Sequence, residues 1–378
     1  MTALATPFAA TKRMVVKTGS ALIVDEAGEI RKAWLDKLAD DIAVLVKRGI
    51  EIAVVTSGAV AIGRWKLGFG RRGLKIEEKQ AAAATGQVWL AHAWAEALGA
   101  RGIVGAQVLL TPDDTEARRR HLNARATVAK LLDAKAVPII NENDTIATEE
   151  IRFGDNDRLA ARVAQMASAD TLILLSDIDG LYTADPHSNP DAKHIPEVLE
   201  LTPDILAMAG EARPGYSSGG MVTKLGAARI ALGAGCRMGI ALGKRDNPLM
   251  ALEQGARVTW FMPQGSPASA RKRWIASTVQ PAGSVVVDDG AAAALSRGKS
   301  LLPAGVVTVN GEFDRGDAIR VLDKAGRELA RGLSAYSAAD ARAIQGRKSA
   351  EIAELLGYRG RDELIHRDDL AMAGGPGR

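Results

Sequence analysis

Cysteine occurs once in this sequence of 378 residues, at Cys236, so neither an internal disulfide framework nor a cysteine-based zinc site can be built. A reducing compartment is implied, and the cytoplasm is the expected location. No stretch of 18 uncharged apolar residues occurs, and MTALATPFAATKR lacks a basic start ahead of an apolar core; neither secretion nor membrane spanning is expected. Histidine is scarce as well. His92, His121, His187, His194 and His366 show no HExxH or paired ligand spacing, and no GxGxxG follows the first apolar run. RGKS, from Arg297 to Ser300, resembles the end of a P-loop, but that pattern needs a glycine five residues before Gly298, and position 293 is alanine. Metalloprotease, dinucleotide and P-loop readings therefore drop out.

With 47% apolar and 25% charged residues, the chain reads as globular, and a common domain size of about 150 residues suggests two domains or more. The net charge of +4 and pI near 9.1 point only weakly to nucleic acid. From Met14 to Met262 short apolar runs alternate with amphipathic ones, each run closing in small or polar residues: MVVKTGS, IEIAVVTSGA, AVPIINEND, TLILLSDIDG, MGIALGKR. This is the rhythm of a mostly parallel sheet covered by helices. Trp34, Leu38, Ile42 and Leu45 line one helical face and Gly49 follows as a stop. In such folds ligands bind beyond the carboxyl ends of the strands, so the polar tips should gather around one crevice. After Trp260 the texture changes. MPQGSPASARKRW reads as a basic linker, and VVVDDG, GVVTVNGEFDRGD, AIRVLD and ELARGLSAY read as short strands broken by turns. The expected division is a tail over 1–13, an α/β domain over 14–262, a linker over 263–275 and a small β-rich domain with a C-terminal tail over 276–378.

Phosphate chemistry enters through two glycine-containing loops. Lys17 ends the first strand and precedes Thr18-Gly19-Ser20, where backbone N–H groups can approach an anion that the ammonium neutralises. In SSGGMVTKLGAA, Gly219 and Gly220 stand just before a helical run carrying Lys224, so helix-start N–H groups and a second cation can converge on phosphate. Two such lysines suit a transferring phosphoryl group, whose transition state spreads charge over three oxygens. TSGA, from Thr56 to Ala59, fits either backbone lying against a ligand or tight helix–sheet packing. NEND and GDND mix Asn with Asp, which argues against a dedicated metal cage and suits a ligand carrying both ammonium and carboxylate; Asx-turns capping helices are the alternative. Asp157 has the same two readings.

Taken together these stretches resemble the glutamate 5-kinases of the amino-acid kinase superfamily. VVKTGSAL, VVTSGAVAIG, AAAATGQ, HLNARAT, VPIINENDTIAT, GDNDRLAA, LLSDIDGLYTADP, SGGMVTKLGAA and ARKRWI occur in the family's order across residues 14 to 275, and the later sequence resembles a PUA domain. The resemblance implies an amino-acid kinase fold, a three-layer sandwich with a mostly parallel sheet, followed by the small β-rich domain. It implies transfer of the ATP γ-phosphoryl group to the side-chain carboxylate of L-glutamate with Mg2+, as the first step of proline synthesis. Proline is the implied inhibitor and a homo-oligomer, dimer or tetramer, the implied assembly. Lys17 and Lys224 would grip phosphates, with Asp157 orienting both. Ser57, Asp144 and Asn156 would bind glutamate. Ser176, Asp177 and the run Ser218, Gly219, Gly220, Met221, Val222, Thr223 and Lys224 would line the nucleotide site; no protein-borne metal ligand is implied. Glu149, Glu150 and Arg152 read as a solvated connection. Thr18, Ser176 and SSGGM depart from the family's commoner residues. A related small-acid kinase, or RNA binding through the PUA domain, are the alternative functions.

Overall fold

The structure, a computed structural model, describes residues 7–146, 156–209, 220–277 and 280–373. Two compact units divide it, 1–267 and 268–378. The first unit runs β1 (Arg13–Thr18), α1 (Ser20–Ile23), α2 (Lys32–Lys47), β2 (Glu51–Val55), α3 (Ala59–Lys66), α4 (Ile76–Gly99), β3 (Gly105–Leu110), α5 (Pro112–Glu116) and α6 (Arg118–Asp133). It continues with β4 (Val137–Glu142), α7 (Asn156–Ala167), β5 (Thr171–Ser176), β6 (Leu181–Tyr182), β7 (His194–Ile195), β8 (Glu197–Val198), α8 (Pro203–Ala207), α9 (Met221–Gly233), β9 (Arg237–Leu242), α10 (Pro248–Glu253) and β10 (Val258–Phe261).

Eight strands form one sheet in the order β3-β4-β2-β1-β5-β9-β10-β8. Every neighbouring pair is parallel except β9 with β10, so the carboxyl ends of β1, β2, β4, β5 and β9 share one edge. Alternation along the strands sorts side chains between two cores. Met14 and Val16 of β1, Ile52 and Val54 of β2, and Ile173 and Leu175 of β5 pack with Leu38, Ile42 and Leu45 of α2 and with Leu90 and Trp94 of α4. Val15, Ala53, Val55, Leu172 and Leu174 pack instead with Leu159 and Val163 of α7 and Leu225 and Ala228 of α9. The expected face of α2 is therefore the buried one, with Trp34 at its margin. Gly49, one residue beyond the C-cap Arg48, takes φ +86° where an L side chain is strained.

Helices α3 and α4 pack backbone to backbone. A Cβ built on Gly63 would stand 1.8 Å from the Ala82 carbonyl oxygen, and one on Gly86 1.8 Å from that of Ala59. Neither oxygen can move without its helix. Gly86→Ala is expected to cost about 1–3 kcal/mol by overpacking; an unchanged thermal unfolding midpoint would show that the seam can open freely.

The second unit begins within α11 (Pro267–Ser277), followed by β11 (Gly283–Val287), α12 (Asp289–Ser296), β12 (Val306–Gly311), β13 (Ala318–Leu322), β14 (Glu328–Leu333), α13 (Ala338–Ile344), α14 (Ile352–Leu356) and β15 (Leu370–Met372). Its sheet has the order β12-β11-β13-β14-β15, over a core that includes Val285, Ile319, Val321, Tyr336 and Ile365. RGKS lies at the end of α12, with Gly298 at φ +75° in a turn rather than a phosphate loop. Where composition marks a linker, residues 267–277 are helical and Arg271 is tied to Asp369 at 2.5 Å. No described helix is long and apolar enough to cross a membrane.

Candidate active site

Strand parity places the first functional side chain. Lys17 shares the face of Val15, the side on which α7 and α9 pack, and both helices bring a charged residue to meet it. Asp157, in the first turn of α7, is fully buried, with Lys17 Nζ at 2.6 Å from Oδ1 and Lys224 Nζ at 3.2 Å from Oδ2. The Thr223 hydroxyl donates to the same Oδ2 at 3.3 Å. Lys17 and Lys224 are 6% and 5% exposed. Asp157 brings two ammonium groups from separate elements to one point, an arrangement suited to contacting an anion. Asp157 is thus not the N-terminal cap that its position first allows.

These lysines open onto a cleft of about 850 Å3 beyond the carboxyl ends of the strands, also lined by Gly19, Ser57, Asn141, Glu142, Asp144, Asn156, Ser176 and Asp177. Among the described residues seven lysine and arginine side chains line it against three carboxylates, a balance that favours an anionic occupant. Several of the cations have structural work. Arg64 donates to the carbonyls of Gly70 and Arg72 at 2.7 and 2.6 Å, holding the loop at 67–74. Arg72 pairs with Glu78, and that hydrogen bond holds the Glu78 carboxyl down at about 2. Lys79 and Lys244 line the cleft with no ion pair to any described residue.

The two glycine loops differ from TSGA in why they are glycine. Gly58 sits at φ +116° before α3, and a Cβ there would also press on Val24 at 2.9 Å, so the chain itself requires it. At Gly19 and Gly220 φ is −77° and −74° and a Cβ would meet nothing within 4 Å. Among the described residues nothing requires glycine at either position, and clearance for a ligand fits both. Gly220 caps α9, whose 13 residues aim their first N–H groups outward.

On the other side of the cleft Asn156 gathers the tips of two strands. Its Nδ2 donates toward the Thr56 carbonyl at 2.6 Å, Ser57 Oγ at 2.8 Å and Asn141 Oδ1 at 2.9 Å. Asp144 lies half-buried at the end of NEND in the same cleft, and Ser176 Oγ donates to Asp177 at 3.0 Å across from it. Met221, Val222 and Thr223 form the first turn of α9 and do not line the cleft; Lys224, one turn in, does. Ser218 and Gly219 lie outside the described residues, as do Glu149, Glu150, Arg152 and Asp155. Asn141 is the site residue that sequence reading passed over, although it opens the quoted NEND. Gln87 was missed with it, and its signal is a long amide on the buried face of an alanine-rich helix.

Comparison with known proteins agrees with this geometry. The Amino acid kinase family matches residues 12–241 and the PUA domain residues 283–356. The chain is 62% identical to a glutamate 5-kinase of Paramagnetospirillum magneticum over 97% of its own length and 100% of the relative's. It is 59% identical to a glutamate 5-kinase of Rhizobium rhizogenes, covering 96% and 93%, and 57% identical to one of Sinorhizobium fredii, covering 98% and 95%. Identity at this level over both domains means that the chain belongs to the glutamate 5-kinase family.

Proposed function

We propose that this chain moves the γ-phosphoryl group of ATP to the side-chain carboxylate of L-glutamate, giving L-glutamyl 5-phosphate for proline synthesis. The observation that carries the reading is the pair of lysines, one from strand β1 and one from helix α9, held on one buried carboxylate and lining one cleft. A carboxylate is already a competent nucleophile at neutral pH, so the reaction needs no general base. One glutamate oxygen bonds to the γ-phosphorus while the bond from phosphorus to the bridging oxygen of ADP breaks. Catalysis then reduces to alignment and neutralisation of the charge on the transferring group. Lys17 and Lys224 supply the positive charge, Asp157 keeps both aimed, and the N–H groups near Gly19 and at the start of α9 receive phosphate oxygens.

Ser57, Asp144 and Asn156 hold the amino acid. Asp144 supplies the negative charge for the ammonium group, and Asn156 and Ser57 supply hydrogen bonds. Ser176 and Asp177 border the nucleotide. Among the described residues no three His, Cys, Asp or Glu side chains converge as a metal cage. In this reading Mg2+ would accompany the nucleotide and supply charge neutralisation for its phosphates. Proline as inhibitor, a homo-oligomeric assembly and a cytoplasmic location belong to the same proposal.

The test is ATP-dependent hydroxamate formation with Mg2+. Glutamate is expected to give product, and N-acetylglutamate none, because acylation removes the ammonium that Asp144 would pair with. Product from N-acetylglutamate alone would overturn the assignment in favour of a related small-acid kinase. Repeating the assay with proline reads the inhibition directly.

A further inference from the structure

The amino-acid side of the cleft hangs on a chain of amides that runs back into the protein, and two backbone groups fix its polarity. The Thr56 carbonyl is an acceptor, so the Asn156 group 2.6 Å away must be Nδ2. The Glu142 N–H is a donor, so the Asn141 group 2.9 Å away must be Oδ1. Asn156 Nδ2 then meets Asn141 Oδ1 correctly at 2.9 Å, and Asn141 has Nδ2 left to donate to Gln87 Oε1 at 2.8 Å. Turning the Gln87 amide round would set donor against donor. Thr56 itself is buried, with its N–H on the Ile140 carbonyl at 2.9 Å and its hydroxyl accepting from Trp94 Nε1 at 3.2 Å, so the chain is anchored at that end.

Gln87 is 8% exposed on α4, and its Nε2 has no hydrogen-bond partner among the described residues. A buried donor without a partner costs stability. Packing alone would be served better there by an apolar side chain of similar length. What an apolar residue cannot do is accept from Asn141.

We infer that Gln87 is a positioning residue for amino-acid recognition: through Asn141 it holds Asn156 with Nδ2 inward and Oδ1 as the atom left for the cleft. An acceptor in that place suits a substrate ammonium beside Asp144. Without Gln87, Asn141 Nδ2 loses its acceptor, and the Glu142 N–H and the Thr56 carbonyl are left to orient Asn141 and Asn156 without that third tie. The inference rests on the reading of Asn156 as a glutamate contact.

Steady-state kinetics of Q87M, Q87N, Q87E and N156A test it. Q87M and Q87N are expected to raise the glutamate KM about tenfold while the ATP KM moves less than about twofold, the scale of one buried hydrogen bond lost. Q87E, whose carboxyl oxygen still accepts from Asn141, is expected to keep the glutamate KM within about twofold of the parent. Q87N loses one methylene and no polar atom, so it carries the test if Q87M fails to fold. A parental glutamate KM in Q87N beside a raised one in N156A overturns the relay. A parental KM in N156A as well would show that the recognition reading of Asn156 is wrong, a different failure. Equal losses for both substrates, or a rise in Q87E as large as in Q87N, also overturn the relay, because either marks a merely structural role.

Discussion

Lys224→Met is expected to fold with a near-parental melting temperature and to turn over about 10² to 10³ more slowly, borrowing the scale measured for single oxyanion-hole donors. The methionine keeps most of the reach and packing of the lysine and removes only its charge. Asp157 does not become an isolated buried anion in this variant, since Lys17 Nζ remains 2.6 Å from Oδ1 and the Thr223 hydroxyl 3.3 Å from Oδ2. The loss should therefore appear in the chemical step rather than in folding. Glutamate KM should change little, because the amino-acid contacts proposed above are Ser57, Asp144 and Asn156. Near-parental turnover would remove Lys224 from the mechanism, and a collapse of stability would make it a structural ion-pair member instead.

Asp157→Asn should act on both stability and rate. The substitution conserves shape but removes the counter-charge from two ammonium groups that are 6% and 5% exposed. Breaking a buried ion pair by deleting one partner typically costs about 3–5 kcal/mol, and here two lysines contact the one carboxylate. Urea unfolding measures the stability change. The lost carboxylate also predicts a remedy: a nucleotide triphosphate should stabilise the variant more than it stabilises the parent, since its phosphates bring negative charge to the two lysines and bind only the folded chain. Parental stability without nucleotide would mean that the lysines do not rely on Asp157.

The sheet and its site were legible to different depths. Each apolar run ending in small residues became a strand of the main sheet, because a strand buried on both faces must be apolar along its length. The reversed direction of β10 was not legible, since periodicity carries no information on strand direction. Helix α4 was equally hard to read. Its alanines and glycines give little amphipathic contrast, yet they are what allow α3 to approach so closely. Residues 263–275 look like a linker by composition, while their helical stretch carries Arg271 onto Asp369, a partner 98 positions away. At the site, motif and charge pointed to Lys17, Lys224 and Asn156. The resemblance also implied that Asp157 orients both lysines, but nothing in the sequence revealed that Asn141 and Gln87 stand behind Asn156, because those links join three separate segments of the chain.

Gly86 and Gln87 are adjacent, and this gives the α3–α4 seam a second meaning. Gly86 rests against the carbonyl of Ala59, two residues after Ser57, while Gln87 reaches Asn141 from the same turn. The thickness of two bare backbones thereby works as a spacer that sets how far the amide relay stands from the substrate loop. A methyl group inserted at Gly86 would widen that gap as well as strain the helix. Variants selected for a looser or tighter seam would then drift in glutamate affinity, although no atom they alter comes near the bound amino acid.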